Sequence, residues 1–266
     1  MESPQEKDSW TYVAKKRRPG AYRKPNPHPP PVTKSDVQAP QPTRDSYLTV
    51  AEIKADHQRI REQWLASPCC ENLKKIISSR AADRISSNAV CLGIGSFDPP
   101  DGSWQVKRRT HAQLAAFQTV VDILNEHVDA PIRCVFQEPY FTLADREFLE
   151  GMNHEIVDSP HGYESVGEQT FLYGIHLYKD TYSDAIANHI PALFIGTGWD
   201  TWESCINPES PEWARIKELD RLCDKVNFPN DEDFYPAFTS TVVHWREHSN
   251  DSDIADAQTA LEQLTL

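Results

Sequence analysis

Short apolar runs alternate with helical patterns from residue 88 onward, and this alternation limits the possible fold more than any other feature. The runs at 89–94, 132–137 and 192–195 are largely apolar and short, which is typical of strands covered on both faces. The longer segments between them place residues such as Leu114 and Phe117 at helical spacing. Strands joined by crossover helices form a parallel sheet with right-handed connections. The sequence therefore predicts an α/β fold, a three-layer Rossmann-like domain with a mostly parallel sheet.

Two helices are predicted ahead of this sheet, and their caps can be read from the sequence. Thr49 and Glu52 form a capping box, and Ser67 precedes Pro68 as an N-cap precedes a proline in the first helical position. Gly151 is expected at the position that follows a helix end. The remaining predicted elements are helices at 105–127, 143–150, 179–189 and from Ser210-Pro211 to about Cys223, strands at 154–158 and 170–175, and an edge strand at 239–245.

Composition separates the two ends of the chain from this domain. Eight prolines lie between positions 19 and 42, and residues 1–34 hold eight Lys and Arg against three acids, a net charge of +5. The whole chain carries −13, so the remainder carries −18. An acidic body repels nucleic acid phosphates, and only the basic end could attract them. We predict a disordered Pro-rich basic tail at 1–45, the Rossmann-like domain at 46–248 and an acidic flexible tail at 249–266.

The basic tail contains the run Lys15-Lys16-Arg17-Arg18, a few residues after Trp10. Three interpretations stay open for it: a nuclear-import signal, a peptide that docks through Trp10, and a solvated tail. None of the six cysteines forms a C-x-x-C pair, and no apolar run approaches the roughly 20 residues that span a bilayer. We therefore predict a soluble intracellular protein of the cytoplasm and nucleus, with reduced cysteines and no membrane partner.

The ends of the predicted strands offer a candidate site, because ligands of open parallel sheets bind beyond the carboxyl ends of the strands. The first strand ends in Gly93-Ile94-Gly95-Ser96, the second is followed by Glu138, and the fourth by His176. A glycine turn allows close backbone approach to a ligand, and a histidine at a strand end can move a proton near neutral pH. The predicted catalytic residue is His176, and the predicted ligand-binding residues are Gly93, Gly95, Ser96, Gln113 and Glu138.

Each of these signals also has a structural interpretation. The glycine pair lacks the third glycine of a dinucleotide-binding motif, since Pro99 and Pro100 follow it, and Glu138 comes 45 positions after Gly93 rather than about 20. A turn that simply needs glycine stays open, as does a hydrogen-bonded structural histidine at position 176. No histidine pair has ligand spacing with nearby acids, so no metal site is predicted.

Five stretches of the chain together carry a resemblance to a known family. They are Cys91-Leu92-Gly93-Ile94-Gly95-Ser96, Gln113-Leu114-Ala115, Glu138-Pro139-Tyr140-Phe141, Thr170-Phe171-Leu172-Tyr173 with His176 closely after, and Trp10-Thr11-Tyr12-Val13 before the basic run. Taken in order, these stretches resemble the Sensitivity-to-Red-light-Reduced (SRR-like) family of eukaryotic proteins over about residues 48–200. The family usually has Asp-Pro at the position of Glu138-Pro139 and Met-Pro-His-Cys at the position of Gly174-Ile175-His176-Leu177, departures that we expect of a divergent fungal-type member.

The resemblance implies a Rossmann-like fold and a regulatory role, in light or circadian-type signalling, haem-biosynthesis regulation or cell proliferation. It implies no particular reaction. We expect an intracellular regulatory protein with a small-ligand pocket at the carboxyl edge of the sheet. Two alternatives stay open, a nucleotide- or S-adenosylmethionine-dependent transferase and a non-catalytic scaffold. The sequence does not specify a cofactor, nor whether the partner is a protein or a small ligand.

Overall fold

The computed structural model describes residues 44–83 and 87–247 of the 266-residue chain. The predicted tails at 1–45 and 249–266 lie outside these residues, apart from positions 44 and 45. Within the described residues the strands are β1 Asn88–Leu92, β2 Arg133–Gln137, β3 Glu155–Ile156, β4 Thr170–Gly174, β5 Leu193–Thr197, β6 Cys223–Asn227 and β7 Thr241–Arg246. The α-helices there are α1 Val50–Leu65, α2 Pro68–Ser78, α3 Trp104–Asn125, α4 Leu143–Glu150, α5 His161–Glu164, α6 Lys179–Ala185, α7 Trp199–Cys205, α8 Pro211–Leu222 and α9 Tyr235–Phe238, and a 3-10 helix spans Ala81–Asp83. No helix in this part of the chain is long and apolar enough to cross a membrane.

The strands form one sheet in the order β3-β2-β1-β4-β5-β7-β6. Strands β1 to β5 pair in parallel, whereas β7 runs antiparallel to both of its neighbours, β5 and β6. This confirms the predicted α/β fold with a mostly parallel sheet. The strand order reverses at β1, which lies between β2 and β4, so the loops after β1 and β4 flank the point where such sheets bind ligands.

Helices cover both faces of the sheet, as the apolar strands require. Cys91 and Phe171 pack with α1, α2, α3, α4 and α9 on one face, while Val90 and Leu172 pack with α6, α7 and α8 on the other. Every residue of β4 and β5 is buried. The three-layer arrangement follows because a strand with apolar side chains on both faces must be covered twice.

Side-chain caps set the starts of several helices where the sequence predicted them. The Thr49 hydroxyl accepts from the Glu52 N–H, and the Glu52 carboxylate accepts in return from the Thr49 N–H, which completes the capping box. At the start of α2 the Ser67 hydroxyl accepts from the Cys70 N–H, a cap without the reciprocal bond. The expectation for Gly151 needs a correction: its φ is −63°, in the right-handed region. The left-handed residue after α4 is Asn153, with φ 64°, and an asparagine tolerates that conformation better than most residues.

The carboxyl-terminal part of the sheet differs from the prediction in two ways. The strand expected at the edge, β7, is an interior strand. The edge strand is β6, which begins at Cys223, the residue near which a helix is predicted to end. Only Cys223 is buried in β6, and Asp224, Lys225 and Asn227 are exposed. A polar edge strand carries no alternating apolar signal. Helix α7, Trp199–Cys205, was not predicted.

Two buried histidines pack together between α1 and α3. The ring centroids of His57 and His111 are 5.6 Å apart, and His111 is also in contact with Phe97. Within the described residues, neither ring nitrogen of His111 has a hydrogen-bond partner. Burial lowers the pKa of His57 to about 4 and that of His111 to about 3. Both rings are therefore neutral in the folded protein near neutral pH.

Truncation of Phe117 tests the packing of α3 on the sheet. Phe117 is fully buried and its ring lies against those of Phe136, Phe171 and Tyr173. We expect Phe117→Ala to lower the free energy of unfolding by about 3–5 kcal/mol in urea denaturation, because it removes the transfer energy of the ring and leaves a cavity. The control Leu143→Ala truncates a side chain that is 61% exposed and should change stability by less than about 0.5 kcal/mol. A loss below about 1 kcal/mol in Phe117→Ala would contradict the packing.

The buried histidines predict a loss of stability in acid. The unfolded chain binds a proton at each histidine near pH 6.5, whereas folded His57 and His111 resist protonation down to about 4 and 3. The free energy of unfolding therefore does not change through these two histidines above about pH 6.5. It falls as the pH drops from there towards the folded pKa values, and each histidine removes in total about 1.4 kcal/mol for each unit by which its folded pKa lies below its unfolded pKa.

The variant His111→Leu should make the decline of unfolding free energy between pH 6.5 and pH 4 shallower, measured by urea denaturation at a series of pH values. His127→Leu replaces an exposed histidine just beyond α3 and serves as the matched control. Its unfolding free energy should decline with pH as steeply as that of the unsubstituted chain. Equal slopes for all three proteins would show that His111 contributes nothing to acid unfolding.

Candidate functional site

The glycine turn follows β1 at the carboxyl edge and is built from two left-handed residues. Gly93 has φ 64° and Gly95 has φ 85°, a region that side chains rarely adopt. The space at Gly93 is also limited, because a Cβ atom there would lie 2.4 Å from Cδ2 of Leu177. Both glycines are therefore required by the backbone and, at Gly93, by the packing of Leu177.

Glu138 lies directly beside this turn and is bound to it. Its Oε2 accepts from the Gly95 N–H at 2.8 Å, and its Oε1 accepts from the Tyr140 N–H at 2.9 Å. The side chain is 6% exposed, and burial raises its pKa while the two N–H donors act in the opposite direction. The structure thus brings two predicted ligand-binding residues together, and each satisfies the other.

Ser96 faces away from the turn, towards α4. Its hydroxyl donates to Oδ2 of Asp145 at 2.6 Å, and the Phe97 N–H donates to Oδ1 of the same carboxylate at 3.2 Å. Asp145 also completes the capping box of α4 with Thr142. Burial raises the pKa of Asp145, against the effect of these donors. Asp145 was not among the predicted site residues, although the Thr142-x-x-Asp145 pattern was a readable signal.

Gln113 is fixed inside the protein between α3, α9 and β4. Its side-chain amide donates to the Ala237 carbonyl at 2.9 Å, and its backbone carbonyl accepts from the Tyr173 hydroxyl at 2.9 Å. The residue is 3% exposed. Gln113 therefore holds α9 against α3, and it makes no hydrogen bond to the glycine turn.

His176 has the most unusual backbone of the predicted site residues. Its φ is 58°, a left-handed conformation that strains most residues other than glycine. Its Nε2 lies 2.9 Å from the carbonyl oxygen and 3.1 Å from Oγ1 of Thr239. Ser240, which follows Thr239 in the chain, also has a left-handed backbone, with φ 55°. The residue is exposed, although desolvation of part of the ring, and to a smaller extent Arg109, lower its pKa.

Leu177 fills the space at which the strand order reverses. It follows His176 and is 7% exposed. A Cβ atom on Gly93 would lie 2.4 Å from its Cδ2, and one on Gly174 would lie 2.5 Å from its Cδ1. The Leu177 side chain therefore packs against the ends of both β1 and β4. This residue, which the resemblance marked only as a departure from the family pattern, decides how much room is left above the glycine turn.

A cavity of about 420 Å³ lies beside the predicted residues, between the first turns of α3 and the segment 232–237. It adjoins Gln113 through Ala237, whose carbonyl that side chain holds. Arg108 packs over the Phe234 ring and donates to the Asp233 carbonyl, whereas Arg109 makes no hydrogen bond or ion pair within the described residues. The lining residues are Trp104, Gln105, Arg108, Arg109, Ala112, Glu232, Asp233, Phe234, Pro236 and Ala237.

The predicted residues thus do not meet in one site. Gly95 and Glu138 are joined at the glycine turn, while Gln113 and His176 both contact the segment from α9 to β7. Ser96 belongs to a third contact with Asp145. Among the described residues, no three His, Cys, Asp or Glu side chains converge as metal ligands do.

Comparison with known proteins gives one match. Residues 69–245 match the family model described as the SRR1 domain, a span that covers the sheet from β1 to Trp245 of β7. No curated protein and no solved structure matches the chain.

A pair of substitutions tests the packing of Leu177. Gly174→Ala should lower the free energy of unfolding by about 1–3 kcal/mol, because the new methyl group overlaps Leu177. The double variant Gly174→Ala/Leu177→Ala should be more stable than the sum of the single losses predicts, by about 1 kcal/mol in urea denaturation, since the overlap is gone. Gly167→Ala is the control, because its Cβ would have 3.8 Å of room. Strict additivity of the two single losses would refute the contact.

Proposed function

Since the chain belongs to the SRR1 domain family, we propose that it is a regulatory protein of that family which responds to a small ligand bound at the carboxyl edge of its sheet. The ligand on this proposal is a compact molecule with an apolar body and an anionic group. The protein acts in the cytoplasm and nucleus on this proposal. Its role there is the light, circadian-type or haem-related regulation that the family resemblance implies.

The observation that carries the proposal is the 420 Å³ cavity. Its volume falls in the range of small-molecule sites, about 300–1,000 Å³. Trp104, Phe234 and Pro236 supply apolar surface, and Arg109 supplies a guanidinium group without a partner among the described residues. A planar guanidinium binds carboxylate and phosphate groups through two parallel hydrogen bonds. Glu232 and Asp233 at the same cavity disfavour a purely anionic ligand, which is why an apolar body is part of the proposal.

The cavity is connected to the strained residues of the carboxyl edge. Phe234 and Ala237 line it, and two residues beyond Ala237 the chain reaches Thr239, which holds His176. A ligand that moved α9 would change this contact, and with it the two left-handed residues His176 and Ser240. Strained backbone of this kind is found where a protein switches or binds. His176 acts on this proposal as the residue that senses α9, rather than as a catalytic acid or base.

A transferase that uses S-adenosylmethionine is the second candidate, and the strand order favours it. The order β3-β2-β1-β4-β5 reverses at β1, and open parallel sheets bind nucleotide-type cofactors at such a reversal, an analogy of fold alone. Glu138 would then hold the ribose. Against this, both oxygens of Glu138 are occupied by backbone N–H groups, and Leu177 fills the space above Gly93. The regulatory proposal requires neither contact to break.

Thermal unfolding of the full chain with ATP, S-adenosylmethionine and haemin tests the proposal. A ligand at about 100 times its Kd adds about 2.7 kcal/mol, roughly 5–10 °C in Tm for a chain of this size. Each of these ligands carries at least one anionic group. We expect one of them to raise the Tm of the unsubstituted chain, and Arg109→Ala to abolish most of that rise.

The control Lys54→Ala removes an exposed cation of α1 outside the cavity and should keep the full rise. A rise that survives in Arg109→Ala but disappears in Glu138→Gln would favour the transferase instead. Failure of every ligand to shift the Tm would favour the non-catalytic scaffold and overturn the small-ligand proposal.

A further inference from the structure

A second cavity lies further along α3, away from the carboxyl edge. It has a volume of about 340 Å³ and is enclosed by α1, the part of α3 from Phe117 onward and the turn from α4 into β3. We call it the histidine cavity. It shares no lining residue with the 420 Å³ cavity. Its lining residues are His57, Arg61, Phe117, Gln118, Val121, Asp122, Met152 and His154.

The inner wall presents a buried hydrogen-bond acceptor. The Gln118 amide group donates to the sulfur of Met152 at 3.3 Å, so the Gln118 oxygen, 3.1 Å from Nε2 of His57, is an acceptor. His57 Nε2 therefore carries the proton, and Nδ1 of the neutral ring has a free lone pair. His57 is 6% exposed, and its Nδ1 has no hydrogen-bond partner in the described part of the chain. A buried acceptor of this kind favours a ligand that donates a hydrogen bond.

Two opposite charges lie on the remaining polar part of the lining. Arg61 comes from α1 and Asp122 from α3, and Asp122 is exposed, which places it at the mouth. Within the described residues neither makes a hydrogen bond or an ion pair, with the other or elsewhere. A simple anion would be attracted by Arg61 and repelled by Asp122, and a simple cation the reverse. A zwitterion satisfies both groups at once.

Apart from His154, the rest of the lining is apolar and suits a ring. Phe117, Val121 and Met152 supply aromatic, aliphatic and thioether surface, and thioethers and aromatic rings pack well on aromatic groups. We propose that the histidine cavity binds a free aromatic α-amino acid whose ring carries a hydrogen-bond donor, as in tryptophan. The carboxylate binds Arg61, the ammonium group binds Asp122, the ring packs on Phe117, Val121 and Met152, and the ring N–H donates to Nδ1 of His57.

Titration calorimetry of the full chain with four related compounds tests this assignment without any variant. L-tryptophan carries all three recognised groups, tryptamine lacks the carboxylate, indole-3-propionate lacks the ammonium group, and phenylalanine lacks the ring donor. We expect each omission to weaken binding by about tenfold, the effect of one hydrogen bond to a charged or buried group. Equal affinity for the four compounds, or no binding of tryptophan at millimolar concentration, would overturn the proposal.

Two variants then assign the charged groups. Arg61→Gln should weaken the binding of tryptophan by about tenfold but should not weaken that of tryptamine, a cation that Arg61 repels. Asp122→Asn should weaken the binding of tryptophan by a similar factor but should not weaken that of indole-3-propionate, an anion that Asp122 repels. Arg59→Gln makes the same substitution on the same helix, outside the cavity, and should bind tryptophan like the unsubstituted chain. Tryptophan affinity that is unchanged in both cavity variants would also overturn the proposal, because the zwitterion would then be bound elsewhere. This proposal does not depend on the function of the carboxyl edge.

Discussion

The packing of α3 against the sheet is the interaction on which the rest of the structure depends. A parallel sheet whose strands are apolar on both faces must be covered twice, and α3 is the long helix that covers the centre of one face. Phe117 in its middle contacts Phe136 of β2 and both Phe171 and Tyr173 of β4. The first turns of α3 line one cavity and the part from Phe117 onward lines the other, so one buried stripe positions both candidate binding sites.

The carboxyl edge shows how a fold suited to ligands can be closed by its own side chains. The N–H of Gly95, which such a turn offers to a ligand, donates to Glu138, and Leu177 packs over Gly93. These contacts stabilise the turn and leave the open space further out, between α3 and α9. Catalysis needs a group that can reach a substrate, and His176 is exposed but bound to Thr239.

The residues that match the family model include one of the two cavities but only part of the other. The SRR1 domain match spans residues 69–245, and the sheet, the glycine turn and α9 all fall within it, as does most of α2. Helix α1, which supplies His57 and Arg61 to the histidine cavity, precedes residue 69. The carboxyl-edge cavity is thus built by the matched region alone, whereas the histidine cavity requires a helix outside it.

The sequence by itself determined the elements whose signal is local. The capping box at Thr49, the Ser67-Pro68 start of α2 and the apolar strands β1, β2, β4 and β5 depend on neighbouring residues, and each was found where predicted. It also identified Gly93 and Gly95, since left-handed turns require glycine. Only the tertiary structure decided what these residues contact. Nothing in the sequence indicates that the Gly95 N–H donates to Glu138, that Leu177 packs on Gly93, or that polar β6 forms the edge beyond β7. These contacts join residues far apart in the chain, and the free energy that selects them comes from burial and hydrogen bonding in the packed state, which no local pattern encodes.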